Sequence, residues 1–186
     1  MRGSTAAALD AYLVSEDEAG FSMTPPTART WTRRGQTPII HVRGRSQRRL
    51  FIAALTCYKA GERSHLIYRP IVHPDHKAGE RRSFTWTHYR DLLIVAHQQL
   101  GQPIVLVWDN VNVHRDRRLR EFIEAQDWVS VHSLPPYAPQ LNPVEGIWSL
   151  LRRRCQANIA FSDPAHLMHA KLRGLRQVQY RSDPID

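Results

Sequence analysis

Lysine is scarce in this 186-residue chain: of its 26 basic residues only Lys59, Lys77 and Lys171 are lysines. Cysteine is scarcer still. Cys57 and Cys155 stand far apart, so no Cys-x-x-Cys pair suggests a zinc ribbon or a redox motif, and a reducing cytosol fits. No apolar run approaches the roughly 18 residues needed to span a bilayer, which argues against a membrane protein. The start, Met1 to Val14, is broken by Asp10 and runs straight into Glu16, so it makes a poor signal peptide. Acid is also in deficit, with 17 carboxylates and a formal net charge of +9. Such an excess favours a polyanionic partner, nucleic acid first. A merely basic soluble protein is the plainer alternative. The arginine bias suits a phosphate surface, since guanidinium binds phosphate bidentately and stacks on bases. Codon usage in a GC-rich genome would produce the same bias.

The apolar content, 42%, predicts a folded soluble domain. A strand is expected at Ala11–Ser15, leading into Glu16-Asp17-Glu18. A loop rich in Pro, Thr and Arg follows over Met23–Gly35. Further strands are expected near Thr37–Val42, Leu50–Tyr58 and His65–Ile71. Val72–Arg82 reads as a polar turn. Tyr89, Leu92, Leu93 and Ala96 fall at helical spacing within Phe84–Leu100, and Gly101 with Pro103 ends that helix. Ile104–Trp108 is continuously apolar, as a central strand covered on both faces should be. A helix over Asp116–Gln126 and a strand over Val129–Leu134 come next. A rigid loop carrying Pro135, Pro136 and Pro139 leads to a long helix from Asn142-Pro143, whose core stripe is Val144, Ile147, Trp148 and Leu151. Asp163-Pro164 opens a short last helix. This order predicts a mixed α/β fold, with no domain boundary inside residues 1–186.

Three carboxylates draw attention. Asp109 ends the most hydrophobic strand, and ligands of open α/β sheets collect at the carboxyl ends of strands. Its plain alternative is an Asp that caps the next turn. Asp17 closes another apolar strand, with alternation sending it to one face and Glu16 and Glu18 to the other. A solvated acidic strand end is the alternative there. Glu145 lies in the first turn of a helix, where Asn142, Pro143 and Glu145 also match a capping box. Oxygen ligands from separate strands and a helix suit a pair of Mg2+ or Mn2+ ions, which serve in-line displacement at phosphorus.

Three blocks of sequence resemble the IS630 branch of the IS630/Tc1/mariner transposases. Asp17-Glu18-Ala19-Gly20-Phe21 is similar to the family's Asp-Glu-x-x-Phe. Asp109-Asn110, with His114 five residues after the Asp, is similar to its second block. Leu134-Pro135-Pro136-Tyr137-Ala138-Pro139-Gln140-Leu141-Asn142-Pro143-Val144-Glu145 and then Trp148 is close to the family's LPPYSPxLNPxE followed by W. Thr30-Trp31 with Gly35, Thr37 and Pro38 is similar to a block between the family's first two strands. Asp109 and Glu145 are separated by 35 residues, about the family's spacing.

The resemblance implies an RNase H-like fold, a mixed five-stranded sheet flanked by helices. It implies Asp17, Asp109 and Glu145 as the catalytic, metal-holding carboxylates. Mg2+ or Mn2+ would be the cofactor, and the reaction cut-and-paste strand cleavage and strand transfer on transposon-end and target DNA. Asn110 and His114 would shape the site or touch the DNA backbone; for His114, a place at a helix start beside Asp116 is the alternative. Arg152, Arg153 and Arg154 follow Glu145 by two turns, either tracking phosphates or forming a solvated basic face. Trp148 is expected in the core. A homodimer and a bacterial, nucleoid-associated cytoplasmic location go with this reading. Full-length members carry helix-turn-helix domains ahead of the catalytic domain. This chain reaches its first carboxylate at residue 17, so that module is expected to be absent here and supplied by a separate polypeptide. A non-catalytic DNA-binding remnant and an RNase H-like host nuclease are the competing readings.

Overall fold

The computed structural model describes residues 10–42, 49–72, 84–109, 112–135 and 138–180. Five strands form one mixed sheet in the order β3-β2-β1-β4-β5. β1 (Tyr12–Ser22) pairs antiparallel with β2 (Arg49–Tyr58), which pairs antiparallel with β3 (His65–Val72). On its other side β1 runs parallel to β4 (Ile104–Trp108), and β4 runs parallel to β5 (Val129–Ser133). The expected mixed five-stranded sheet flanked by helices is therefore present.

Period-two alternation in β1 and β2 divides the core into two layers. Tyr12, Val14, Leu55 and Leu106 face α1 (Trp86–Leu100) and α2 (Arg117–Glu124). Ala19, Phe21, Ile52 and Ala54 face α3 (Val144–Cys155) and α4 (Pro164–Tyr180). All five residues of β4 are buried, as its unbroken apolar run requires. Gly101 stops α1 at φ 64, its N–H bonded to the His97 carbonyl. Asp116 caps α2 by accepting from the Arg118 amide. Asp163 does the same for α4 through the His166 amide at 2.8 Å. Gly174 lets α4 lie against α3: a Cβ there would stand 2.5 Å from Cys155 Sγ.

Three expectations are corrected. Thr37–Val42 forms no strand. Pro38 lacks a donor, β2 already has two neighbours, and a strand without a partner does not persist. Ile39 is 78% exposed there, and Trp31, earlier in the same extended segment, is wholly exposed. β1 does not stop at Ser15 but continues through its three acids to Ser22, because each acid finds a partner. The last helix is not short; at 17 residues it is the longest described. The polar turn expected up to Arg82 lies almost wholly outside the described residues.

Candidate active site

β1 brings two adjacent carboxylates to opposite faces of the sheet. Asp17 points to the α3 side, where Trp148 Nε1 donates to its Oδ2 at 3.0 Å. The Glu18 amide donates to Oδ1 at 3.0 Å. Each oxygen keeps a second lone pair. Burial raises the Asp17 pKa to about 7, helped by the charges of Glu16 and Glu145 and opposed by the two donors. The parallel register sets Ser15 opposite Val107. Asp17 stands two residues further along β1, and Asp109 two residues further along the chain, just past the end of β4.

Glu145 lies half-buried in the first turn of α3. The capping box does not form. The Asn142 amide is already spent on the Pro139 carbonyl at 2.9 Å, so Glu145 has no donor to reach back to. Asn142 itself is buried and ties two elements together. Its side-chain N–H donates to the Glu16 carbonyl at 2.8 Å, and its Oδ1 accepts from the Val144 amide at 3.2 Å. The helix carrying Glu145 is thus fastened to the strand carrying Asp17.

Asp109 sits just beyond β4 with its side chain partly exposed. His114, in the short 3-10 turn Asn112–Arg115, approaches it from the α1 side. His114 Nδ1 lies 3.1 Å from Asp109 Oδ1 and 3.0 Å from the Asp109 carbonyl. The ring stacks on Trp108 at 4.2 Å and meets the edge of Tyr89 at 4.9 Å. Its Nε2 lies 3.1 Å from Glu16 Oε2. That contact does not meet the geometry of a directional hydrogen bond, so it acts as an ion pair. Burial works against charge on His114, yet contact with Asp109 and then Glu16 prevails and raises its pKa to about 10. Burial raises the Glu16 pKa, and His114 counters it. His114 is therefore no mere helix-start residue.

The other predicted residues divide. Trp148 is in the core as expected, and it also holds Asp17. Arg152, Arg153 and Arg154 are exposed; Arg152 lies over the Phe21 ring at 5.8 Å, and Arg153 Nε donates to the Ser149 carbonyl at 3.3 Å. Asn110 lies outside the described residues, as do Pro136 and Tyr137. Glu16 and Tyr89, whose hydroxyl donates to Glu18 Oε2 at 2.7 Å, were given no site role from sequence, and Asn142 was read only as a helix cap. A signal existed for Glu16: it alternates with Val14, which faces the core, so a buried acid had to find a partner.

The donor set fits a divalent cation. Asp17 is held close to neutrality by burial and like charges, which a cation would relieve. Among the described residues no three acidic, histidine or cysteine side chains converge closely enough to cage an ion unaided. Mg2+ does not need a cage: it keeps several waters and takes one or two carboxylates together with substrate phosphates.

Comparison with known proteins bears on the family and the fold. The chain matches the family model for the DDE superfamily endonuclease over residues 12–168. It is 33% identical over 63 residues to the uncharacterized protein y4pE/y4sA of Sinorhizobium fredii, covering 34% of this chain and 44% of that one. Its fold resembles the Mos1 transposase paired-end complex with left transposon end, with a TM-score of 0.62, 16% identity, and coverage of 98% of this chain and 56% of the other. It likewise resembles the mariner Mos1 paired-end complex with Mg, at a TM-score of 0.59, 18% identity, and coverage of 98% and 56%. The chain thus spans about half the length of the solved transposases it matches. With the family model extending from the first residue of β1 into α4, past all three carboxylates, this chain belongs to the DDE superfamily endonucleases.

Proposed function

We propose that this chain is the catalytic domain of an IS630-type transposase, performing metal-dependent cleavage and strand transfer on DNA. What supports the reading is that three carboxylates are carried by separate elements packed around the centre of one sheet. Asp17 and Asp109 each lie two residues past the last pair of the parallel β1–β4 register, Ser15 and Val107, and the charge of Glu145 acts on Asp17. These three would hold Mg2+ or Mn2+. Such ions, when bound, stabilise both the attacking and the leaving oxygen of an in-line displacement at phosphorus. Water as nucleophile gives strand cleavage, and a DNA 3′-hydroxyl gives strand transfer.

The chain's own residues orient this chemistry. Trp148 fixes the Asp17 carboxylate from one side, leaving a lone pair on each oxygen. His114 holds Asp109 and shapes the second ligand. Asn142 anchors the helix that presents Glu145. Arg152 and Arg153 offer an exposed cationic track for the DNA backbone, a role open to Asn110 as well. In this reading two copies of the catalytic domain hold the two ends of the element. The setting is the bacterial nucleoid. No described helix is long and apolar enough to cross a membrane.

Incubation of the chain with supercoiled plasmid and Mn2+ or Mg2+ tests the assignment. Nicking is expected, and Asp109→Asn should abolish it while leaving the circular dichroism spectrum unchanged. Undiminished nicking by that variant would sink the reading. Preferential cutting of an RNA–DNA hybrid would instead favour a host nuclease.

A further inference from the structure

We propose that Glu16 is a positioning residue whose side chain, acting through His114, sets where the Asp109 carboxylate stands, an inference that rests on the metal-holding reading above. Glu16 touches all three arms of the site without lying on the metal's side of the sheet. It is covalently adjacent to Asp17. Its carbonyl accepts from the Asn142 side chain at 2.8 Å, three residues before Glu145. Its carboxylate lies 3.1 Å from His114 Nε2, and the opposite nitrogen of that ring lies 3.1 Å from Asp109 Oδ1.

The burial is what gives this chain of contacts its force. The side chains of Glu16 and His114 are only 2% and 4% exposed, and an isolated buried carboxylate is costly unless paired. Among the described residues, the Glu16 carboxylate forms its ion pair with His114. The ring cannot drift to satisfy another acceptor, because Trp108 stacks on it and Tyr89 closes its edge. Glu16 therefore dictates where Nε2 must be, and a rigid imidazole then dictates where Nδ1 presents itself to Asp109. This is the geometry by which outer residues orient metal ligands, and losing such a partner typically weakens metal affinity about 10–100-fold. The side chain of Glu16 acts on Asp109 alone. The Glu145 arm depends on its carbonyl and survives substitution.

Mn2+ titration of the full chain without DNA, followed by the loss of the free-ion paramagnetic resonance signal, tests this directly. Glu16→Met keeps the length of the side chain and removes the acceptor; it should weaken Mn2+ binding about 10-fold or more. Glu16→Gln, which retains an oxygen facing His114 but not the charge of the pair, should recover only part of that loss. His114→Phe keeps the stack on Trp108 and loses both nitrogens, so it should weaken binding by the same factor. Combining it with Glu16→Met should add nothing further. Wild-type affinity in Glu16→Met, or two losses that multiply, overturns the proposal. If Glu16→Met does not fold, His114→Phe decides: unchanged Mn2+ affinity there overturns it equally. Asp109→Asn separates the two levels. If that variant also binds Mn2+ normally, the metal-holding reading itself fails; if it alone loses binding, only the role of Glu16 fails.

Discussion

Asp17 is ionised at a cost in the metal-free protein. Its pKa rises from an ordinary 3.8 to about 7, so between those values the folded chain holds a proton that the unfolded chain has released. Stability therefore falls as pH rises through this window and stays reduced above it, by at most about 4 kcal/mol. Asp17→Asn should raise the melting temperature of the metal-free chain at pH 8, and the gain should vanish towards pH 4. Divalent ions act in the opposite sense by favouring the ionised form, so thermal stabilisation by Mn2+ should be larger at pH 8 than at pH 6 in the wild type and lost in Asp17→Asn. Thermal unfolding at both pH values, with and without Mn2+, checks the sign. Asp17, Asp109 and Glu145 stood out in the sequence because order and a long specific block flank them. Glu16 did not, although its face was read correctly. What it meets there depends on a ring 98 residues away, which no local pattern reveals.

The elements that deliver the site are held by a few polar contacts, and Asn142 is the clearest. Asn142→Ala leaves the buried Glu16 carbonyl without its donor, which should cost about 1–3 kcal/mol by chemical denaturation. It should also loosen the start of α3 and weaken Mn2+ binding. Gly101→Ala serves as a contrast. At φ 64 with open space around it, a side chain there is strained but meets nothing, so about 1 kcal/mol of stability should go with Mn2+ affinity intact. Equal losses of metal binding in the two variants would contradict the link between Asn142 and the site. Helix starts and stops were readable from Gly101, Asp116 and Asp163-Pro164 because caps are local chemistry. The capping box at Asn142 was a false local signal, overridden when the preceding 3-10 turn took up its amide. Thr37–Val42 failed as a strand for a non-local reason as well: β propensity needs a free edge beside it. The acids of β1 hid the length of that strand, since their partners come from α1, α3 and the turn after β4.

For the whole molecule, the proposed transposase role and the charge of +9 predict a DNA affinity governed by counterion release. Each phosphate neutralised adds about 0.9 to the slope of log affinity against log salt on duplex DNA. Arg152 and Arg153 extend from the helix that carries Glu145 and are exposed, so their contribution should be to hold the backbone beside the carboxylates rather than to read bases. Arg152→Ala and Arg153→Ala should each weaken binding to unrelated duplexes by a similar factor and reduce the salt slope by about 1. Neither should change Mn2+ affinity in the absence of DNA. Fluorescence anisotropy across a salt series measures the slope directly. A solvated basic face with no DNA role predicts an unchanged slope in both variants. That outcome would move the DNA track elsewhere on the molecule while leaving the carboxylate site untouched, because Arg152 touches the core only through the Phe21 ring and Arg153 only through its own helix.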